Sequence, residues 1–140
     1  MVRMLESFVK AWDSHAETLK EAIKARGEEI FDYEELLVTT LRHCFPERKY
    51  GEPDSEKVHR IDDGDYQGTL VYLVPEQTYQ PSTYFVFKVS YGSCSGCDTM
   101  QAIESTDYAY GNDSPRRPTP KQVDLLWTEA LHMMQGAIEI

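Results

Sequence analysis

The sequence predicts a single α+β domain: an N-terminal helix pair, a small antiparallel β-meander of about three strands, and C-terminal helices packed on the sheet. Three observations carry that expectation. Apolar residues recur at helical spacing at both ends of the chain but at strand spacing in its middle. Turn chemistry at Asp63-Gly64 and across PEQTYQPST divides the middle into short extended runs. The chain has 140 residues, the size of one domain with one core. The expected segments are 1–46 for the helix pair, 57–92 for the meander and 98–140 for the C-terminal helices.

In the first segment Met4, Leu5, Phe8, Trp12, Leu19, Ala22 and Ile23 recur at steps of three and four, the period of an amphipathic helix. Lys24, Arg26 and Gly27 then form a C-terminal stop. A second helix starts at Asp32, with Glu35 completing a capping box and Phe31 placed against Leu36 as a hydrophobic staple. Leu36, Leu37, Leu41 and Cys44 make its inward face, and Pro46 ends it. Cys44 on that stripe reads as a small core residue, and His43 beside it points elsewhere.

PERKYGEPDSE is a polar loop. KVHRIDDGDYQGTLVYLV reads as two strands around Asp63-Gly64, the second spanning roughly Tyr66 to Val74. Tyr84 to Tyr91 is a third strand with Phe85, Phe87, Val89 and Tyr91 on one face. Asp98 and Gln101 are an N-cap and its partner for a short helix containing Met100 and Ile103. After an irregular loop, Thr119, Pro120 and Gln122 open the last helix. Its buried stripe is Val123, Leu126, Trp127, Ala130, Met134 and Ala137.

Symmetric pairing of the two long strands sets Val74 opposite Tyr84 and Tyr66 opposite Gly92. Asp62, Asp63 and Asp65 then gather beside Tyr91, Ser93, Cys94, Ser95, Cys97 and Asp98 on one rim of the sheet. Four chemistries compete for that rim. Cys94 and Cys97 are a CxxC pair able to give two thiolates to zinc, with His59, an aspartate or a second chain completing a tetrahedral site. The same pair after a strand and before a helix has the order of a dithiol redox motif, although Asp98 opposes thiolate formation. The glycine-rich turn at a helix start suits an anion, but it lacks the lysine of a P-loop. A close-packed structural turn needs the same small residues. His15, His43, His59 and His132 fall on different elements, so no nucleophile–histidine set is assignable from spacing.

The net charge of −10 argues against nonspecific nucleic-acid binding, which relies on Lys and Arg neutralising phosphates. It favours solubility or a basic protein partner. Three cysteines and no recognisable signal segment suggest a reducing, cytoplasmic setting without a disulfide framework. No apolar run approaches the ~20 residues of a membrane span.

GDYQGTLVYLV, YGSCSGCDTMQAI and the late ALHMMQ resemble a group of small, mostly uncharacterised bacteriophage and prophage proteins. The resemblance covers about Ile61 to the C-terminus and leaves the N-terminal helix pair outside. It implies origin, and action in a bacterial host cytoplasm, and brings no activity to particular residues. The function expected is therefore non-enzymatic: an acidic phage-type accessory protein that binds a host protein, inhibition being one form of that role. The alternatives are a thiol or zinc protein using Cys94 and Cys97, and a protein sequestering a small ligand such as a nucleotide on the rim.

Overall fold

The structure is a computed structural model that describes residues 2–26, 32–62, 64, 68–92, 98–105 and 119–140. Of residues 2–5, 101, 104 and 105 it describes only the backbone. The described residues form α1 (Val2–Ala25), α2 (Tyr33–Cys44), β1 (His59–Asp62), β2 (Gly68–Pro75), β3 (Tyr84–Tyr91), α3 (Thr99–Ser105), α4 (Pro120–Gln135) and β4 (Ile138–Glu139). The strands make one antiparallel sheet in the order β1-β2-β3-β4. This is the α+β arrangement expected.

The helix caps form as their residues dictate. The Asp32 side chain accepts the Glu35 N–H at 2.7 Å, opening α2. Thr119 and Gln122 make a reciprocal capping box with Pro120 in the first turn of α4. The expected Phe31 staple and the Gly27 stop lie outside the described residues.

Helices cover one face of the sheet. Phe8 of α1 meets Phe85 and Phe87 of β3 at ring separations of 5.5 and 6.1 Å, and Phe45 at 5.3 Å. Leu19, Ile23, Leu36, Leu37, Leu41, Val74 and Ala130 are fully enclosed. Each large aliphatic side chain among them contributes about 1.5–3 kcal/mol by leaving water. α1 and α4 lie together, joined by the Trp127 Nε1–H donating to the Ala16 carbonyl at 2.9 Å. Trp12 packs on Trp127 at 5.6 Å, Lys20 Nζ lies 4.8 Å from the Trp127 ring centre, and Lys20 pairs with Asp124 at 3.0 Å.

Three details depart from expectation. The β2–β3 register is offset by one residue: Val74 faces Phe85, Tyr72 faces Phe87, Leu70 faces Val89 and Gly68 faces Tyr91. The reason is packing. β2 is apolar on both faces, and only this offset sets Leu70, Tyr72 and Val74 on the same side as Phe85, Phe87 and Val89. Next, Asp62 faces Leu70 across the β1–β2 ladder, a register that a two-residue Asp63-Gly64 turn does not give. Finally, the last helix stops at Gln135, with Gly136 as its cap. Ala137 is buried outside the helix, and the chain enters β4 as a fourth strand. Tyr84 and Ile140 exchange two backbone hydrogen bonds, of 3.1 and 2.9 Å, beside β4.

Candidate functional site

The rim lies at the end of the sheet where β1 and β3 finish and β2 begins. Asp62, Tyr91 and Asp98 are its described members. Asp63, Asp65, Ser93, Cys94, Ser95 and Cys97 lie outside the described residues, so the paired thiols and the two neighbouring aspartates stand as sequence expectations. Tyr66, expected opposite Gly92, lies outside them too.

Asp62 and Tyr91 are brought together. The Tyr91 hydroxyl lies 2.6 Å from Asp62 Oδ1 and 2.7 Å from the Gly64 carbonyl, and its one proton is offered to either acceptor. The Gly64 N–H donates to the same Asp62 oxygen at 3.1 Å. Register explains the reach. Gly68 faces Tyr91 across the β2–β3 ladder, so no side chain stands on β2 between that ring and the β1–β2 connection. The Tyr91 hydroxyl and then the Gly64 amide hold the exposed Asp62 carboxyl below its ordinary value.

Asp98 has a different job. It is buried, and its two oxygens gather donors from three elements. Oδ1 accepts the Tyr33 hydroxyl of α2 at 2.6 Å and the Met100 N–H of α3 at 3.0 Å. Oδ2 accepts the Gly92 N–H at the end of β3 at 3.0 Å. The Tyr33 oxygen also accepts the Met100 N–H at 2.9 Å. Asp98 is the N-cap expected from sequence, and it is also the knot joining α2, β3 and α3. Burial and then the Asp98 carboxylate push the Tyr33 hydroxyl far above the ordinary phenol range, so it stays a donor. Gly92 and Asp98, the two flanks of the cysteine-bearing stretch, are thus held within one hydrogen bond of each other.

Tyr33 and Glu129 are the members of this end that the sequence did not reveal. Glu129, on α4, keeps only 14% of its side chain exposed, and its carboxyl is raised by burial, against the opposing effect of His132, and by Asp98. Neither residue belongs to a motif. Tyr33 is separated from Asp98 by 65 positions, and only the tertiary fold joins them.

The remaining candidates resolve simply. Cys44 is buried, and burial alone pushes its thiol up to about 12, the state of an inert core residue. His43 is held below its ordinary value by burial and then by Arg42. His15, His43, His59 and His132 sit on α1, α2, β1 and α4. Among the described residues no three His, Cys, Asp or Glu side chains converge as a metal site. Searches of family models, curated proteins and solved structures returned no match to the chain.

A second feature lies at the other end of β3, about 20 Å away by strand rise. There a cleft of about 540 Å³ opens between α1, the end of α2 and the loop 46–53.

Proposed function

We propose that this chain is a non-enzymatic binding protein, of the phage accessory type its motifs resemble, that engages and inhibits a host protein through the open side of its sheet. The observation that supports this reading is the composition of the sheet face turned away from the helices. The register sets two neighbouring rows on that face: Ile61, Val71 and Lys88 in one, and His59, Leu73, Val86 and Ile138, across all four strands, in the other. Ile61 is 51% and Ile138 37% exposed at its two ends, and Val71 and Leu73 are half-buried between them. Val86, between Leu73 and Ile138, is nearly closed off by its neighbours. Five apolar side chains grouped between His59 and Lys88 suit the core of a protein interface with a polar margin. All four residues of β1 are exposed, so the strand beside this face also suits addition of an extended partner segment.

The test is capture from bacterial lysate with the wild-type chain, the double variant Ile61→Asp/Ile138→Asp, and Lys20→Ala on the helical side as control. A host protein retained by wild type and control but released by the double variant supports the reading. Capture indifferent to the sheet substitutions, or no capture in mild salt, overturns it. The alternative, a zinc or dithiol role for Cys94 and Cys97, draws support from the tie between Gly92 and Asp98, the residues that flank the stretch carrying them. Elemental analysis of protein purified without added metal, with thiol titration, decides that alternative.

A further inference from the structure

The cleft beside α1 lies at the end of the sheet away from the rim, and neither the rim chemistry nor the open sheet face makes use of it. Its volume of about 540 Å³ falls within the roughly 300–1,000 Å³ usual for small-molecule sites. It continues into a second hollow of about 250 Å³ that shares Ser7, Tyr50, Gly51 and Phe85 with it.

The walls are built. On one side α1 presents Ser7, Lys10, Ala11 and Ser14 at steps of three, one and three, a strip of small or slender residues that leaves room. On the other, the loop 46–53 is pinned from behind. Gly51 N–H donates to the Gln77 carbonyl at 3.1 Å, Gln77 N–H to the Glu52 carbonyl at 2.7 Å, and Asp54 N–H to the Pro75 carbonyl at 2.8 Å. Arg48 reaches the buried Asp54 at 3.2 Å and Glu56 at 3.3 Å. It does so from a left-handed backbone, φ 50°, which no other non-glycine residue among those described adopts. Gly51 follows at φ 84°. Such a backbone costs a side-chain-bearing residue about 1–2 kcal/mol, and the loop that bears it forms the cleft wall.

Charge and surface say what would fit. Cys44, Phe45 and Phe85 close the bottom, and Tyr50, 81% exposed, stands at the mouth with its ring free to stack. The carboxylates on the wall of the larger hollow are engaged, while Glu76 and Glu139 line only the smaller one. Glu47 pairs with Lys49 at 2.8 Å, and Glu52 Oε1 accepts the Lys49 N–H at 2.7 Å. Lys10 makes no ion pair among the described residues, and His15, five positions further along α1, lines the same cleft. An ammonium with no ion pair among the described residues, beside a hollow floored by Cys44, Phe45 and Phe85, is a place for an anionic group.

We propose that this cleft is a binding site for a small organic anion with a flat aromatic body. The acid group sits at Lys10, and the body lies between Ala11 and Tyr50. The probe is 8-anilinonaphthalene-1-sulfonate, which carries both features, titrated into the full chain by fluorescence. Saturable one-to-one binding is expected, weakened at least tenfold by Lys10→Glu, kept by Lys10→Arg and abolished by Ala11→Phe, which fills the hollow. Ile61→Lys, on the open sheet face, is expected to leave it unchanged. Near-UV circular dichroism confirms that each variant is folded. Displacement of the probe by adenosine monophosphate identifies a nucleotide as the source of this chemistry, and displacement by 1-naphthaleneacetate identifies a simple aromatic acid. Binding indifferent to Lys10→Glu, lost in Ile61→Lys, never saturating, or matched by the cation 1-naphthylmethylamine overturns the proposal.

Discussion

Replacing Tyr33 by phenylalanine removes one oxygen from the knot at Asp98 and leaves everything else in place. The hydroxyl donates to Asp98 Oδ1 at 2.6 Å, a charge-assisted bond between buried groups. Bonds to charged groups contribute about 1.5–3 kcal/mol each. The Met100 N–H loses one acceptor but keeps Asp98 Oδ1 at 3.0 Å, so little is added there. The expected loss is therefore about 2 kcal/mol, some thirtyfold in the folding equilibrium. For a chain of this length that lowers the thermal midpoint by roughly 7 °C. Asp98→Asn is expected to cost at least as much, because an amide cannot accept from Gly92 N–H, Met100 N–H and the phenol together. In the double variant the phenol's contribution falls to that of a neutral bond, so the two costs are sub-additive by about 1 kcal/mol. Urea denaturation of the four proteins measures this. A Tyr33→Phe cost below about 0.5 kcal/mol, or strict additivity, refutes the assignment of Asp98 as the joint between α2, β3 and α3.

Glu129→Gln tests the carboxyl beside that knot. Its folded value is raised, so its contribution is present below the ordinary carboxylate range and lost as pH rises through the folded value. The variant is expected to have the higher urea midpoint at pH 7 and to lose that advantage by about pH 4. A variant no more stable at pH 7 contradicts this. Asp62 runs the other way, its lowered value giving a contribution present above the ordinary range and lost as pH falls through the folded value. Tyr91→Phe is expected to move the Asp62 carboxyl upward in an NMR titration, and no movement discards the Tyr91 contact. With its thiol pushed up to about 12, Cys44 is about one part in ten thousand thiolate at pH 8. Peptide mapping after alkylation should find it unmodified in native protein and modified in urea.

Local chemistry made much of the fold legible. Asp32, Thr119 with Gln122, and Asp98 announce helix starts because a cap needs only residues within three positions of one another. Long-range choices were less legible. Thr69, Val71 and Leu73 offer β2 a second apolar face, so strand composition alone left the register open by one residue. β4 has two residues and carries no periodicity to read. The convergence of Asp62 with Tyr91, and of Asp98 with the end of β3, followed from the hairpin itself. The Tyr33 contact and the cleft did not, since both depend on how α1, α2 and the 46–53 loop settle on the sheet.

The hydrogen bond from Trp127 to Ala16 spans 111 positions, whereas the β2–β3 hairpin joins near neighbours in the chain. Closing so long a loop is entropically costly and forms late, after local pairing has shortened the effective separation. Both tryptophans of the chain lie at that one seam, Trp12 on α1 and Trp127 on α4. Intrinsic fluorescence therefore watches the two ends of the protein meet and is nearly blind to the assembly of the sheet. In refolding, tryptophan emission should settle after the far-ultraviolet signal, making the first and last helices the clasp that shuts on an already formed interior.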